Sequence, residues 1–449
     1  MGFRRQEGAR TRTLRRVCAI VLLAWPVLAG AARGDDAVVL PRDRSSVALE
    51  NLFYLPTGQR WGPNGNAEDL ASGFDNRRLD SSVFTLLQPL DALVGGSASI
   101  GDSHVKFEYR YDILNFSFAY GLTDRLTVGV EIPYYWAQNN VRASVDSGPG
   151  SSANVGLKTG PGAGLCGLPV AVLPLACPNT RRFTTEDVQQ VLGPGLPGIP
   201  GFGYKRIEDF SDDGLGDIVL GGKYQYLRTR DWRLAASGGV RFPTGRQDDP
   251  DDLSDVSWSS GAWGLLARMH HDYIVSNLWK ERPTPADKTP IAEPGDLVLD
   301  FTFRYEWVLP DRATLRVGDP NALTTNRERV GRDLGDRFEF ELSGRYSVRP
   351  GLSLSALYKY GFKLEDRMEG HKGYPTQVLE EDTGSTEQLY MLLVSYSTLP
   401  LYRAGRFPLP LDITLSYRDR FAGSGPRTGG SPSQVLKTRY IGLRVQALF

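Results

Sequence analysis

The side chains able to do chemistry in this chain are mostly charged residues spaced two apart. Lys106, Glu108 and Arg110 alternate in one stretch. Glu131, Arg233, Arg241, Asp300, Arg304, Glu306, Glu339, Glu341, Arg345, Lys359 and Arg444 recur in the same every-second-residue setting. Side chains two apart on an extended strand share a face, so these groups are expected to line one surface. A pore tuned to one sign of ion needs a ring of like charge. Here the signs interleave, which suits either ion-paired packing or a polar constriction past which a small neutral solute moves.

Other candidate chemistry is sparse. Asp248, Asp249, Asp251 and Asp252 form the sharpest acidic cluster. Hard oxygen ligands of this kind can hold Ca²⁺, but the spacing is not that of an EF-hand loop, and a solvated acidic turn fits equally. No Gly-x-Ser-x-Gly elbow occurs, so acyl transfer lacks its usual nucleophile setting. A membrane hydrolase would have to use His104, which the alternation places with the charged face. The reading is non-enzymatic, and nothing calls for a cofactor. Cys166 and Cys177 stand eleven apart in a Gly/Pro-rich stretch, and in an exported chain they are expected to form a disulfide.

Residues 1–31 read as a cleaved signal peptide: six arginines, then an apolar core over 17–28 that is too short to span a bilayer, then small residues at 29–31. Removing its six Arg and one Glu leaves 46 Lys and Arg against 51 Asp and Glu, a net charge near −5. That balance excludes a nucleic-acid partner.

The elements that must position these charges are strands. In 115–136, Phe116, Phe118 and Tyr120 alternate with small residues. After Thr123-Asp124-Arg125, Leu126, Val128, Val130, Ile132 and Tyr134 do the same. Leu297, Leu299, Phe301, Phe303, Tyr305 and Trp307 form the cleanest apolar row, opposite Asp300, Arg304 and Glu306. Such period-two writing, repeated behind an export signal, predicts an all-β transmembrane antiparallel up-and-down β-barrel. The count is about twelve strands, with ten or fourteen also compatible. It takes His104–Asp112 as the first strand, reads the phase slip at 113 as a turn or bulge, and treats 269–294 as a periplasmic connection. Residues 32–100 read as an N-terminal extension carrying a short amphipathic helix over 80–94, and 101–449 as the barrel with a long external loop at 137–214. The terminal Phe449, closing an alternating strand, is expected to be the signal read by the barrel-assembly machinery.

Three segments, YGLTDRLTVGVEIPY at 120–134, DGLGDIVLGGKYQYL at 213–227 and VRFPTG at 240–245, resemble the outer-membrane proteins grouped under "meta-pathway of phenol degradation". The resemblance covers roughly 80–449 and leaves the cysteine loop outside. It implies a barrel in the cell outer membrane, in contact with lipid and lipopolysaccharide, acting as a passive channel for small hydrophobic or aromatic compounds. A sealed barrel that anchors surface loops is the alternative.

Overall fold

The computed structural model describes residues 36–167, 177, 179–280, 294–319, 322–427 and 433–449. The proposed signal peptide lies outside them. Twelve antiparallel strands close into a barrel: β1 (Ser45–Tyr54), β2 (Ser99–Thr123), β3 (Leu126–Asp146), β4 (Phe210–Leu215 continuing as Ile218–Arg228), β5 (Trp232–Phe242), β6 (Gly264–Ile274), β7 (Leu297–Val308), β8 (Arg337–Arg349), β9 (Leu352–Lys363), β10 (Ser385–Ser397), β11 (Leu411–Ser424) and β12 (Arg439–Leu448). β1 lies between β2 and β12, with Ser46 opposite Leu448 and Tyr54 opposite Tyr440. Phe449 extends this seam through two backbone hydrogen bonds with Ser45, of 2.9 and 3.1 Å.

Alternation has the predicted consequence. Leu342, Leu415, Leu443, Phe116 and Phe301 belong to a belt of apolar side chains left exposed around the barrel, while Ser343, Ser416, Arg444 and Thr302 beside them point inward and are buried. In water each exposed Leu or Phe would forgo about 1.5–3 kcal/mol of burial; against lipid tails that loss vanishes. Three of the five connections at one end are tight, at 124–125, 229–231 and 350–351, with 275–296 and 398–410 longer; all those at the other end are long, among them 55–98, 147–209, 309–336 and 364–384. By the usual asymmetry of outer-membrane barrels, the long-loop end faces outward from the cell. At the 350–351 turn, Gly351 adopts φ +81°, and a Cβ there would collide with the Ser397 carbonyl.

Twelve is the expected number, but it is reached differently. His104–Asp112 and 115–122 are one strand, β2, and the first strand comes from 45–54, inside the stretch read as an extension. The slip at 113 is neither turn nor bulge. Odd-numbered residues face inward on both sides of it. Below, the outward face meets lipid and carries Phe116 and Phe118. Above, the strand leaves the bilayer, and the inward Val105, Phe107, Tyr109 and Tyr111 pack under Leu70, Val256 and Leu436. The polarity of the two faces exchanges while the geometry continues.

Two more expectations shift. Residues 269–274, read as part of a periplasmic connection, belong to the strand Gly264–Ile274, because the chain from Ser254 to Ser259 folds into the mouth, where Val256 is wholly buried. In place of a helix over 80–94 there is a 3-10 segment, Thr85–Leu90, and one α-turn, Asp91–Val94, ended by Gly95 in the left-handed region. Pro89, inside the first, removes an amide donor and disfavours a continuous helix. These turns pack Phe84 and Leu87 into an apolar cap with Val155, Val191 and Phe202. The cap includes a helix, Thr185–Leu192, opened by a capping box in which Thr184 and Asp187 exchange side-chain to backbone hydrogen bonds of 3.2 and 2.8 Å.

Candidate functional site

Seven barrel strands contribute to one ladder of alternating charge inside the barrel. Asp217, at the break in β4, accepts from Arg241 on β5 at 2.6 Å, and Arg241 reaches Glu306 on β7 at 2.6 Å. Arg304 on β7 joins Glu306 at 3.1 Å and Glu339 on β8 at 3.4 Å. Lys359 on β9 bridges Glu339 at 3.2 Å to Glu387 on β10 at 3.1 Å, and Arg420 on β11 ends the run on Glu387 at 2.7 Å. Glu306, Glu339 and Glu387 are each held between two cations and Asp217 meets one, so four acids face four cations and the ladder presents little net field. Buried charges demand such pairing.

The ladder forms one side of a cavity of about 490 Å³. Apolar side chains line the same space, with Leu52, Ile113, Leu357, Leu389, Met391 and Tyr440 facing inward, three of them on β9 and β10 beside Lys359 and Glu387. Trp258, from the external loop between β5 and β6, stacks on Tyr135 at 5.6 Å with planes 5° apart and lines the same space. Below the cavity the barrel floor is occupied by the start of the described chain. Ala37 is fully buried, its amide donating to Asp272 at 2.7 Å and its carbonyl accepting from Gln225 at 2.7 Å. The Asp36 carbonyl accepts from Lys223 at 2.6 Å, and its carboxylate pairs with Arg345 at 3.6 Å. The segment passes so close to β2 that a Cβ on Gly121 would collide with the Pro41 carbonyl.

Backbone pairing in the wall beside the cavity is interrupted between β3 and β4. Regular pairing ends at Leu215 opposite Tyr134. Beyond it, backbone hydrogen bonds run from Gly216 to Pro133 at 2.7 Å and from Gln225 to Arg125 at 2.8 Å. Pro133, within β3, has no amide to donate.

Of the residues singled out from sequence, Arg241, Arg304, Glu306, Glu339 and Lys359 meet in the ladder, and Glu131 and Glu341 line the same cavity. Arg233, Asp300 and Arg345 lie lower, around the floor. Arg233 pairs with Asp272 at 3.2 Å, and Asp300 accepts from Ser343 at 3.1 Å. Arg444 is buried opposite Glu50 across the β1–β12 seam. Lys106, Glu108 and Arg110 are corrections: they are exposed on the outward face of β2 above the bilayer, as is His104. The aspartates of the external loop are ion-paired rather than gathered on a cation: Asp249 and Asp252 with Lys205, Asp251 with Arg316 and Arg327. Among the described residues no group of three or more His, Cys, Asp and Glu could hold a metal. Cys166 and Cys177 are bonded, with Cα atoms 6.2 Å apart.

Sequence reasoning missed Glu387, Arg420 and Asp272. The first two sit at strand ends that extend beyond the apolar rows, and Asp272 lay in a stretch read as a connection. Ser237 Oγ lies 2.8 Å from His270 Nε2, but His270 is fully buried among the strands, which gives the pair a packing role.

Residues 183–374 match the sequence model of a family described as "Putative MetA-pathway of phenol degradation". The match covers 192 of the 449 residues. Two of the three resembling motifs, at 213–227 and 240–245, fall inside it, while 120–134 and the disulfide loop precede it. No curated protein matches the chain in sequence. Similar solved structures include an outer-membrane channel from Pseudomonas putida, with TM-score 0.47 and 13% identity over 93% of this chain and 100% of that one. A FadL homologue from Pseudomonas aeruginosa has TM-score 0.31 and 10% identity over 91% and 90% of the two chains. The CymD monoaromatic hydrocarbon channel has TM-score 0.31 and 10% identity over 95% and 97%. The barrel itself is established by this chain's own strand register.

Proposed function

We propose that this protein is a passive outer-membrane channel through which small hydrophobic, including aromatic, compounds enter. The observation that carries this reading is the lumen cavity, lined by a cluster of apolar side chains next to a charge-neutralised ladder, inside a barrel with a lipid-facing belt. A neutralised ladder supplies no strong field to select an ion, whereas an apolar cluster gives a hydrophobic solute a place to rest. The floor segment blocks a straight aqueous path. The interrupted pairing between β3 and β4 supports a sideways exit into lipid, which suits a solute of this class.

The organisation that goes with this function is a cleaved signal over 1–31, barrel insertion through the strand ending at Phe449, and an outer rim in contact with lipopolysaccharide. No step of chemical catalysis is assigned to the chain. The filled floor also supports a sealed anchoring barrel, and one measurement separates the two. Cells lacking the gene should take up a radiolabelled monoaromatic compound more slowly than complemented cells at low external concentration. Equal initial rates, with altered envelope integrity, would sink the channel reading in favour of the anchor.

A further inference from the structure

We infer that the lumen cavity recognises hydrophobic solutes carrying a single anionic group, and that Arg418 is the side chain that receives this group. The inference rests on the channel reading above and names the substrate class for the same cavity.

The strand register lays one inward row across neighbouring strands. Leu357 on β9 stands opposite Met391 on β10, Met391 opposite Arg418 on β11, Arg418 opposite Tyr440 on β12, and Tyr440 opposite Tyr54 on β1. Tyr54 then packs edge-on against Tyr111 of β2, ring centroids 6.1 Å apart. Arg418 is the one charge in this row. Its guanidinium lies 5.2 Å from the centroid of the Tyr440 ring, a cation–π placement.

What distinguishes Arg418 from the ladder cations is the lack of an acid. Arg241, Arg304, Lys359 and Arg420 each hold a carboxylate within 3.4 Å. Among the described residues no carboxylate comes within ion-pair distance of Arg418, and its buried Nε has no hydrogen-bond partner. Glu387, one strand away, is already held by Lys359 and Arg420. The guanidinium is half-buried on the cavity wall, its nearest acid is shared with two other cations, and an entering anion would give it a counter-charge at contact distance. A carboxylate suits it geometrically, since the guanidinium fork donates to two oxygens at once.

The surroundings fix the rest of the solute. Leu52, Ile113, Leu389 and Met391 offer apolar contact for the body, and about 490 Å³ is within the range of small-molecule sites. Across the cavity Glu131, which has no ion-pair partner among the described residues, disfavours a second negative charge. Aromatic monocarboxylates meet all three conditions.

Calorimetric titration of the purified full-length chain in detergent micelles tests this with three probes of one shape: benzoate, benzyl alcohol and benzylamine. Benzoate should bind at least about tenfold more tightly than the alcohol, the amine most weakly. Arg418→Gln should abolish the benzoate preference while alcohol binding persists, and Arg418→Lys should retain part of it. Should Arg418→Gln fail to fold, judged by heat-modifiable gel mobility, the probe ranking on the natural chain and on Arg418→Lys still decides. Equal binding of benzoate and benzyl alcohol, or an unchanged preference in Arg418→Gln, overturns this inference and leaves the channel reading intact. Failure of all three probes to bind overturns both.

Discussion

Asp255 and Asp248 share a buried site in the external loop between β5 and β6, the loop that delivers Trp258 to the cavity. Burial, and after it the neighbouring Asp248 carboxyl, push Asp255 up to about 7, and burial raises Asp248 as well. Arg246, 3.4 Å from Asp255, offsets this only in part. A carboxyl whose pKa is raised on folding contributes stability that is complete below its ordinary range near 4 and is lost as pH rises through about 7. The loop over 243–263 should therefore loosen between pH 5 and pH 8. Hydrogen exchange there, corrected for the intrinsic rate, should speed up over that window, and Asp255→Asn should flatten the change. Identical protection at both pH values would refute it. The sequence marked this cluster as acidic, but which aspartates pair with lysine or arginine and which with each other depends on loops that arrive from 205, 316 and 327.

At the scale of elements, the period-two pattern was most readable where one face meets lipid and the other water. It misled wherever a strand outran the bilayer. β2 and β3 rise well above the membrane, and there apolar side chains turn inward beneath the loop cap, so the Lys106–Arg110 row looked like a lumen wall. β1 was missed because SSVALENLFY is short and sits in a polar stretch; pairing on both edges, with β2 and β12, holds it in place. In the long loop the helix Thr185–Leu192 went unread, and its Thr184–Asp187 capping box is the local signal that could have found it. The floor segment had no sequence signature at all. Deleting residues 36–43 from the mature chain should raise single-channel conductance in planar bilayers several-fold, since the contacts to Asp272, Lys223, Gln225 and Arg345 would be replaced by water. Unchanged conductance would show that the floor is closed by something else.

For the whole molecule, the deciding surface is the apolar belt. Leu342 in mid-β8 is 54% exposed, and Leu342→Arg should destabilise the barrel by about 2–4 kcal/mol in lipid vesicles, read from urea unfolding. The outward face of β2 tolerates Lys106 because that position lies above the bilayer. A stability loss under 1 kcal/mol for Leu342→Arg would contradict a lipid-facing belt.

The sequence by itself determined the barrel class and which side chains avoid water, because solvent preference is written locally, residue by residue, with period two. It also brought Arg241, Arg304, Glu306, Glu339 and Lys359 onto one face. Only the tertiary structure decided which cation meets which acid, that Arg418 has none at contact distance, and which segment fills the floor. Those relations join strands hundreds of residues apart, and they follow from register and barrel closure, which no local spacing encodes.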